Sequence, residues 1–302
     1  MVSHPDRRTA WGRRTRRALR ITLACALAHT AGPRAASAQA AAARTAAREA
    51  RVLTIVAMDY AFQVPARVPA GLTTVRLVNR GRMLHHVQLN RLEQGKTLSD
   101  MLREWKPGVA NPSYLTGAGG PTAALGGETL EGQVVLQPGH YAIICWVPAA
   151  DGQLHLQKGM MGQFEVLPLP ASAPARAPGA LPRADVTITM MDYGYQVPAI
   201  RPGRQSVRVE NKGPQAHELV MVRLKPGRTA GDAAAWAERG QTGDAPGAMV
   251  GGVAALSAGH SGQFTVAFTP GEYALICFVP DQKDGKGHPH TTYGMLRQFT
   301  VR

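Results

Sequence analysis

Four side chains able to hold a metal ion occur in the same order twice along this 302-residue chain: His85, Cys145, His155 and Met160, then His217, Cys277, His290 and Met295. Soft thiolate and thioether sulfurs suit Cu(I), whereas imidazole nitrogen suits Cu(II). Two imidazoles and one thiolate, with a more distant methionine sulfur, form the donor set of a blue copper electron-transfer centre. Each residue has a plainer use. A lone buried cysteine packs as a small hydrophobe, a methionine fills core gaps, and loop histidines need do nothing. What raises the set above those uses is its repetition in register.

A shift of 132 residues superimposes Asn79 on Asn211, Gly81 on Gly213, His85 on His217, Tyr141 on Tyr273 and Cys145 on Cys277. Met58-Asp59-Tyr60 meets Met191-Asp192-Tyr193 at a shift of 133, and beyond the cysteine the shift becomes 135, pairing His155 with His290 and Met160 with Met295. Insertions therefore fall between the donors. His86, His140, His260 and His288 have no counterpart and read as surface residues, although His288, two positions before His290, is the one rival for its place.

The elements that must carry these donors read as strands. Val186, Ile188 and Met190 alternate with threonines, Val207 and Val209 flank Arg208, and Phe264, Val266 and Phe268 alternate with smaller or polar residues. Turns such as Asn79-Arg80-Gly81 and Pro270-Gly271 separate them. Many short strands between Gly/Pro turns predict an all-β sandwich. One short helix is expected within each copy, packed by Leu98, Met101, Leu102 and Trp105 in the first and around Trp236 in the second. The order along the chain is an export signal at 1–38, an Ala/Arg-rich segment at 39–51, one domain at 52–167, a Pro/Ala-rich linker at 168–184 and a second domain at 185–302.

NRGRMLH ending at His85, NKGPQAH ending at His217, GHYAIIC, GEYALIC, HLQKGM and HTTYGM together resemble the cupredoxins of the plastocyanin and azurin type. The resemblance covers nearly everything from Val52 onward. It implies two tandem Greek-key β-sandwich domains with one type 1 copper at a pole of each, up to two per chain. His85, Cys145, His155, His217, Cys277 and His290 are then the in-plane ligands and Met160 and Met295 the axial ones. One departure stands out: nine residues separate Cys145 from His155 and twelve separate Cys277 from His290, against two to four in the family, which predicts a looser site.

Eight of the 34 Lys and Arg lie before Ala38 beside one acid, so the remainder carries +7 of the +14 net charge. With no basic stripe interleaved with aromatics, nucleic acid binding is excluded. The Arg-rich start, the apolar run from Ile21 to Ala28 and Ala36-Ser37-Ala38 form an export signal, pointing to the periplasm or the exterior, and no apolar run reaches transmembrane length. Cys145 and Cys277 occupy equivalent places in separate cores, so no disulfide is expected. The expected function is single-electron transfer or copper handling with a redox protein partner; the oligomeric state is open. A metal-free binding module is the alternative. A two-domain oxidase or nitrite reductase is disfavoured, because the neighbours of the cysteines are Ile144, Trp146, Ile276 and Phe278 rather than a relay histidine, so the chain is expected not to be an enzyme.

Overall fold

A computed structural model of the chain describes residues 51–106, 111–169 and 179–302. The expected export signal, nearly all of the 39–51 segment and the middle of the linker lie outside the described residues. The first half runs β1 (Arg51–Met58), β2 (Ala61–Gln63), β3 (Arg67–Pro69), β4 (Gly71–Asn79), β5 (Gln88–Leu92), α1 (Leu98–Glu104), β6 (Leu115–Gly119), β7 (Thr129–Leu136), β8 (Gly139–Ile144) and β9 (Met161–Leu167). The second half repeats it without a counterpart of β3, as β10 (Val186–Met191), β11 (Gly194–Gln196), β12 (Gly203–Asn211), β13 (His217–Leu224), α2 (Ala230–Glu238), β14 (Gly247–Leu256), β15 (Ser261–Phe268), β16 (Gly271–Ile276) and β17 (Leu296–Val301).

The strands form two sheets, as a β-sandwich requires. Side chains of period two fill the space between them: Leu53, Ile55 and Ala57 on β1 meet Val75 and Leu77 on β4 in one core, while Val186, Ile188, Met190, Phe264, Val266 and Phe268 fill the other. Both sheets run unbroken through the two halves, in the orders β11-β10-β12-β15-β7-β4-β1-β2 and β17-β16-β13-β14-β6-β5-β8-β9-β3. The joints are short. Gln133 pairs with Gln263, Ala118 with Leu256, and Gln88 Nε2 donates to Ala255 O at 2.9 Å.

Two local devices recur. Tyr141 OH donates to Gln137 O at 3.0 Å and Tyr273 OH to Thr269 O at 3.0 Å, closing the turn before each cysteine-bearing strand as a tyrosine corner does. Thr97 caps α1 by accepting from Asp100 N at 3.2 Å, and Thr229 caps α2 by accepting from Asp232 N at 3.1 Å. Within α1, Met101 is fully buried but Leu102 is 40% exposed, so the predicted four-residue apolar face narrows. Trp236 packs inside as expected. Trp105 ends its helix half-exposed, with its ring 5.4 Å from that of Trp146.

Candidate metal centres

His85 follows a loop fixed by one asparagine. Asn79 Nδ2 donates to Met83 O and Ala124 O, both at 2.8 Å, and Asn79 Oδ1 accepts from Gly81 N at 2.9 Å. Asn211 makes the same three bonds, to Gln215 O, Leu256 O and Gly213 N, ahead of His217. Cys145 and Cys277 come directly off the ends of β8 and β16. His155 and His290 each open a one-turn 3₁₀ helix that stops at a left-handed glycine, Gly159 or Gly294, before the methionine.

The long loops do not loosen this frame. Pro148 and Leu154 form an antiparallel bridge, and Pro280 and Pro289 another, so the extra residues leave and return through one narrow neck. Behind the neck, His155 N donates to Val147 O at 2.8 Å and His290 N to Val279 O at 2.9 Å. Met160 N reaches His155 O at 2.9 Å, while Cys145 N reaches Met160 O at 3.3 Å; the second half matches at 3.0 and 3.3 Å. The expectation of a looser site is therefore corrected.

Within each half, His Nδ1 or Nε2, Cys Sγ and the second His nitrogen lie within 4.8 Å of one another, and all six residues are buried. His85 Nδ1 stands 3.3 Å from His155 Nδ1, which is 3.4 Å from Cys145 Sγ. The corresponding distances around His290 Nδ1 are 3.0 Å to His217 Nδ1 and 3.3 Å to Cys277 Sγ. Donors so spaced open angles of roughly 100–110° at an ion about 2.0 Å from nitrogen and about 2.3 Å from sulfur, so one first-row metal ion fits. The two His–Cys–His groups fit type 1 copper sites. Met160 and Met295 are fully buried in the same core clusters as the cysteines. His290, at 0% exposure, is in the cluster; His288 is exposed and paired with Asp284 at 2.9 Å.

A carboxylate behind each first histidine escaped the sequence reading. Asp59 Oδ1 lies 3.1 Å from His85 Nε2, and Asp192 Oδ1 lies 2.6 Å from His217 Nε2. A carboxylate only accepts, which assigns the proton to Nε2 and turns the Nδ1 lone pair toward the cluster. The signal was present as the repeated Met-Asp-Tyr. Gly81 and Gly213 belong to the same device, because a Cβ at Gly81 would sit 2.6 Å from His85 Nε2 and one at Gly213 would sit 2.8 Å from His217 Nε2.

Burial sets the protonation of the donors. It pushes the Cys145 thiol up to about 12 and the Cys277 thiol higher still, the nearby Glu218 charge adding to the second. It lowers all four histidines. His155 and His290 fall to about 4, helped by repulsion from the neighbouring histidine, while the aspartates partly restore His85 and His217. At neutral pH the imidazoles are ready to bind as neutral ligands, and each thiol must lose a proton to do so.

The structure also corrects the placing of His86 on the surface. It is 7% exposed, its backbone N–H faces Cys145 Sγ at 3.4 Å, and its ring lies 3.6 Å from Glu218, whose own N–H faces Cys277 Sγ at 3.5 Å.

No family model matches the chain, and no curated protein matches it. Solved structures do. A reduced auracyanin from Roseiflexus castenholzii matches 39% of this chain over 98% of its own at 19% identity and a TM-score of 0.27. A copper-containing nitrite reductase from Thermus scotoductus matches 83% of this chain, which spans 61% of that protein, at 14% identity and TM-score 0.23. A blue copper oxidase from Nitrosomonas europaea matches 84% over 86% of its own length, at 16% and 0.25. Auracyanin A from Chloroflexus aurantiacus, a blue copper protein, also matches. The expectation that the chain is not an enzyme is corrected here: the structures matching across both halves include a nitrite reductase and an oxidase.

Proposed function

We propose that this chain is a copper protein built from two tandem Greek-key cupredoxin-like sandwiches, each with one short inserted helix, and that it binds one type 1 copper in each half for single-electron transfer or copper handling. The observation that carries the reading is the pair of buried His–Cys–His clusters at ligand spacing, reproduced to within 0.3 Å between halves. His85, Cys145 and His155 hold one ion and His217, Cys277 and His290 the other, with Met160 and Met295 beside them. Copper bound there supplies a one-electron couple. The chain's own part is to keep the ligands still: Asp59 and Asp192 orient the first imidazole, the backbone N–H groups of His86 and Glu218 point at sulfur, and the buried surroundings exclude water. A frame that holds one geometry lets the ion change charge with little rearrangement. The Arg-rich, Ala-ending leader supports export, and a redox protein partner follows from the one-electron role. Among the described residues, no helix is long and apolar enough to cross a membrane.

Copper titration of the mature protein, followed by visible absorption and electron paramagnetic resonance, tests this. Two equivalents with intense thiolate-to-copper absorption are expected, one disappearing in Cys145→Ser and the other in Cys277→Ser. Absence of that absorption at saturating copper overturns the reading.

A further inference from the structure

Between the two halves lies a cavity of about 750 Å³, large enough for a small organic molecule. Its polar lining is unusually short of partners. Gln88 Oε1, Asn90 Nδ2, Thr122 Oγ1 and His86 Nε2 are buried and have no hydrogen-bond partner, and all four residues line the cavity. Each is more than nine-tenths buried. The amide of Gln88 is settled in orientation, since its Nε2 already donates to Leu89 O at 2.8 Å and Ala255 O at 2.9 Å. Buried polar groups are ordinarily satisfied, but these four atoms are closed off from the open space, so they belong to the wall without reaching a guest.

Charge and shape say what kind. In a chain of net charge +14, no lysine or arginine is among the described residues lining this cavity, whereas Glu218 and Glu238 are. Glu218 is 6% exposed; its Oε1 accepts from Phe278 N at 2.9 Å, its Oε2 lies 3.6 Å from the His86 ring, and no lysine or arginine pairs with it among the described residues. A buried carboxylate without a cation is costly, and a cationic guest removes that cost. Trp105 and Trp146, tilted 51° to one another at 5.4 Å, supply aromatic faces on the same lining. Carboxylate together with paired indoles is the chemistry that recognises an organic ammonium group. An anion such as nitrite finds no lysine or arginine among the described residues here.

We propose that this cavity binds a small organic ammonium ion, with Glu218 opposing its charge and Trp105 and Trp146 facing its alkyl groups. The site goes beyond the copper reading and does not depend on it.

The test uses the whole metal-free protein and intrinsic tryptophan fluorescence, with choline as the probe and 3,3-dimethylbutan-1-ol, its uncharged isostere, as control. Choline is expected to change the fluorescence saturably and to bind about tenfold or more tightly than the isostere. Glu218→Gln should bring the two affinities together, and Trp105→Leu should weaken choline more than the isostere. The wild-type comparison needs no variant and stands even if Glu218→Gln does not fold. Equal affinity of choline and isostere, binding of acetate or nitrite in place of choline, or no saturable change overturns the proposal. Copper uptake measured separately on the same preparation tells failure of this site from failure of the metal centres.

Discussion

Replacing Gly81 by alanine tests whether the carboxylate behind the first histidine holds the first metal centre together. The backbone at Gly81 lies outside the left-handed region, so the added methyl acts through space rather than through strain. Its nearest neighbours would be Asp59 Oδ1, His85 Nε2 at 2.6 Å and Asp59 N at 3.0 Å, well inside ordinary van der Waals contact. Either the Asp59–His85 bond opens or the His85 ring turns, and Nδ1 loses its aim in both cases. Overpacking a tight site costs about 1–3 kcal/mol, and disturbing an outer partner of a metal ligand weakens metal binding about 10–100-fold. For a protein of this size that destabilisation lowers the melting temperature by about 2–10 °C. Copper titration of Gly81→Ala should therefore show one normal and one weakened equivalent, with Cys277→Ser removing the normal one. Gly213→Ala, whose methyl would meet His217 Nε2 at 2.8 Å and Asp192 Oδ1 at 2.9 Å, should show the mirror result. Gly194→Ala, with nothing within 4 Å, is the control and should match wild type. Two unchanged equivalents in Gly81→Ala with an unchanged melting temperature refute the role assigned to the Asp–His pair.

Because the thiols are held near or above 12 and the histidines below their ordinary value, copper loading at pH 7 should release one proton per ion, measured in buffers of different ionisation enthalpy; zero or two contradicts the assigned protonation. Burial raises the Glu218 carboxyl from 4.5 to about 7, so the folded protein holds a proton there that the unfolded chain has lost. Its contribution is fully present below pH 4.5 and is lost as pH rises to 7, by about 3 kcal/mol. Glu218→Gln should thus gain on wild type in denaturant unfolding between pH 5 and 8, and a constant difference refutes this. His86, lowered to about 4 by burial, acts in the opposite sense, losing stability as pH falls from 6.5, so His86→Gln should gain on wild type in acid. Finally, neither second histidine has a hydrogen-bond partner at Nε2, but Asp281, with a side chain 1% exposed, places a carboxylate 3.6 Å from His290 Nε2, and among the described residues no such ion pair forms at His155. Burial opposes its charge, but Tyr193, Gln215 and two backbone N–H groups outweigh burial and keep it ionised. The added negative charge favours the oxidised ion, so the second centre should have the lower reduction potential, by about 50–100 mV. Asp281→Asn should narrow that gap in a spectroelectrochemical titration; a gap unaffected by it counts against the argument.

How much of this was legible in the residues follows from how local each signal is. Strands written with period two, such as Val186-Thr187-Ile188-Thr189-Met190, announce their buried face directly, and all three apolar members are buried. The two His–Cys–His groupings were legible because a duplicated chain repeats what it needs at fixed spacing. The second shell was harder to read. Asp59 precedes His85 by 26 residues, and nothing in Met-Asp-Tyr says that the carboxylate bonds that imidazole until β1 is laid beside β4 in parallel. Nor does loop length by itself say how freely a ligand moves: Pro148 and Leu154 pair across the neck, so the stiffness at His155 is set by a bridge and by Val147 O rather than by the nine residues counted from Cys145.

His86 and Glu218 show the limit of reading copies against each other. At equivalent positions the two halves carry an imidazole and a carboxylate, and a comparison that looks for sameness discards both. Their meaning lies in the difference. The halves meet edge to edge with β6 against β14 and β7 against β15, which brings residue 86 of one copy against residue 218 of the other. Had both copies kept the same residue, two imidazoles or two carboxylates would face each other in a buried place, and like charges there could not both ionise. Divergence at this one register position gives complementary groups on the same two residues whose backbone N–H groups face the cysteines. The junction between the halves, more than either half alone, is therefore where this chain has acquired chemistry that its internal repeat does not contain.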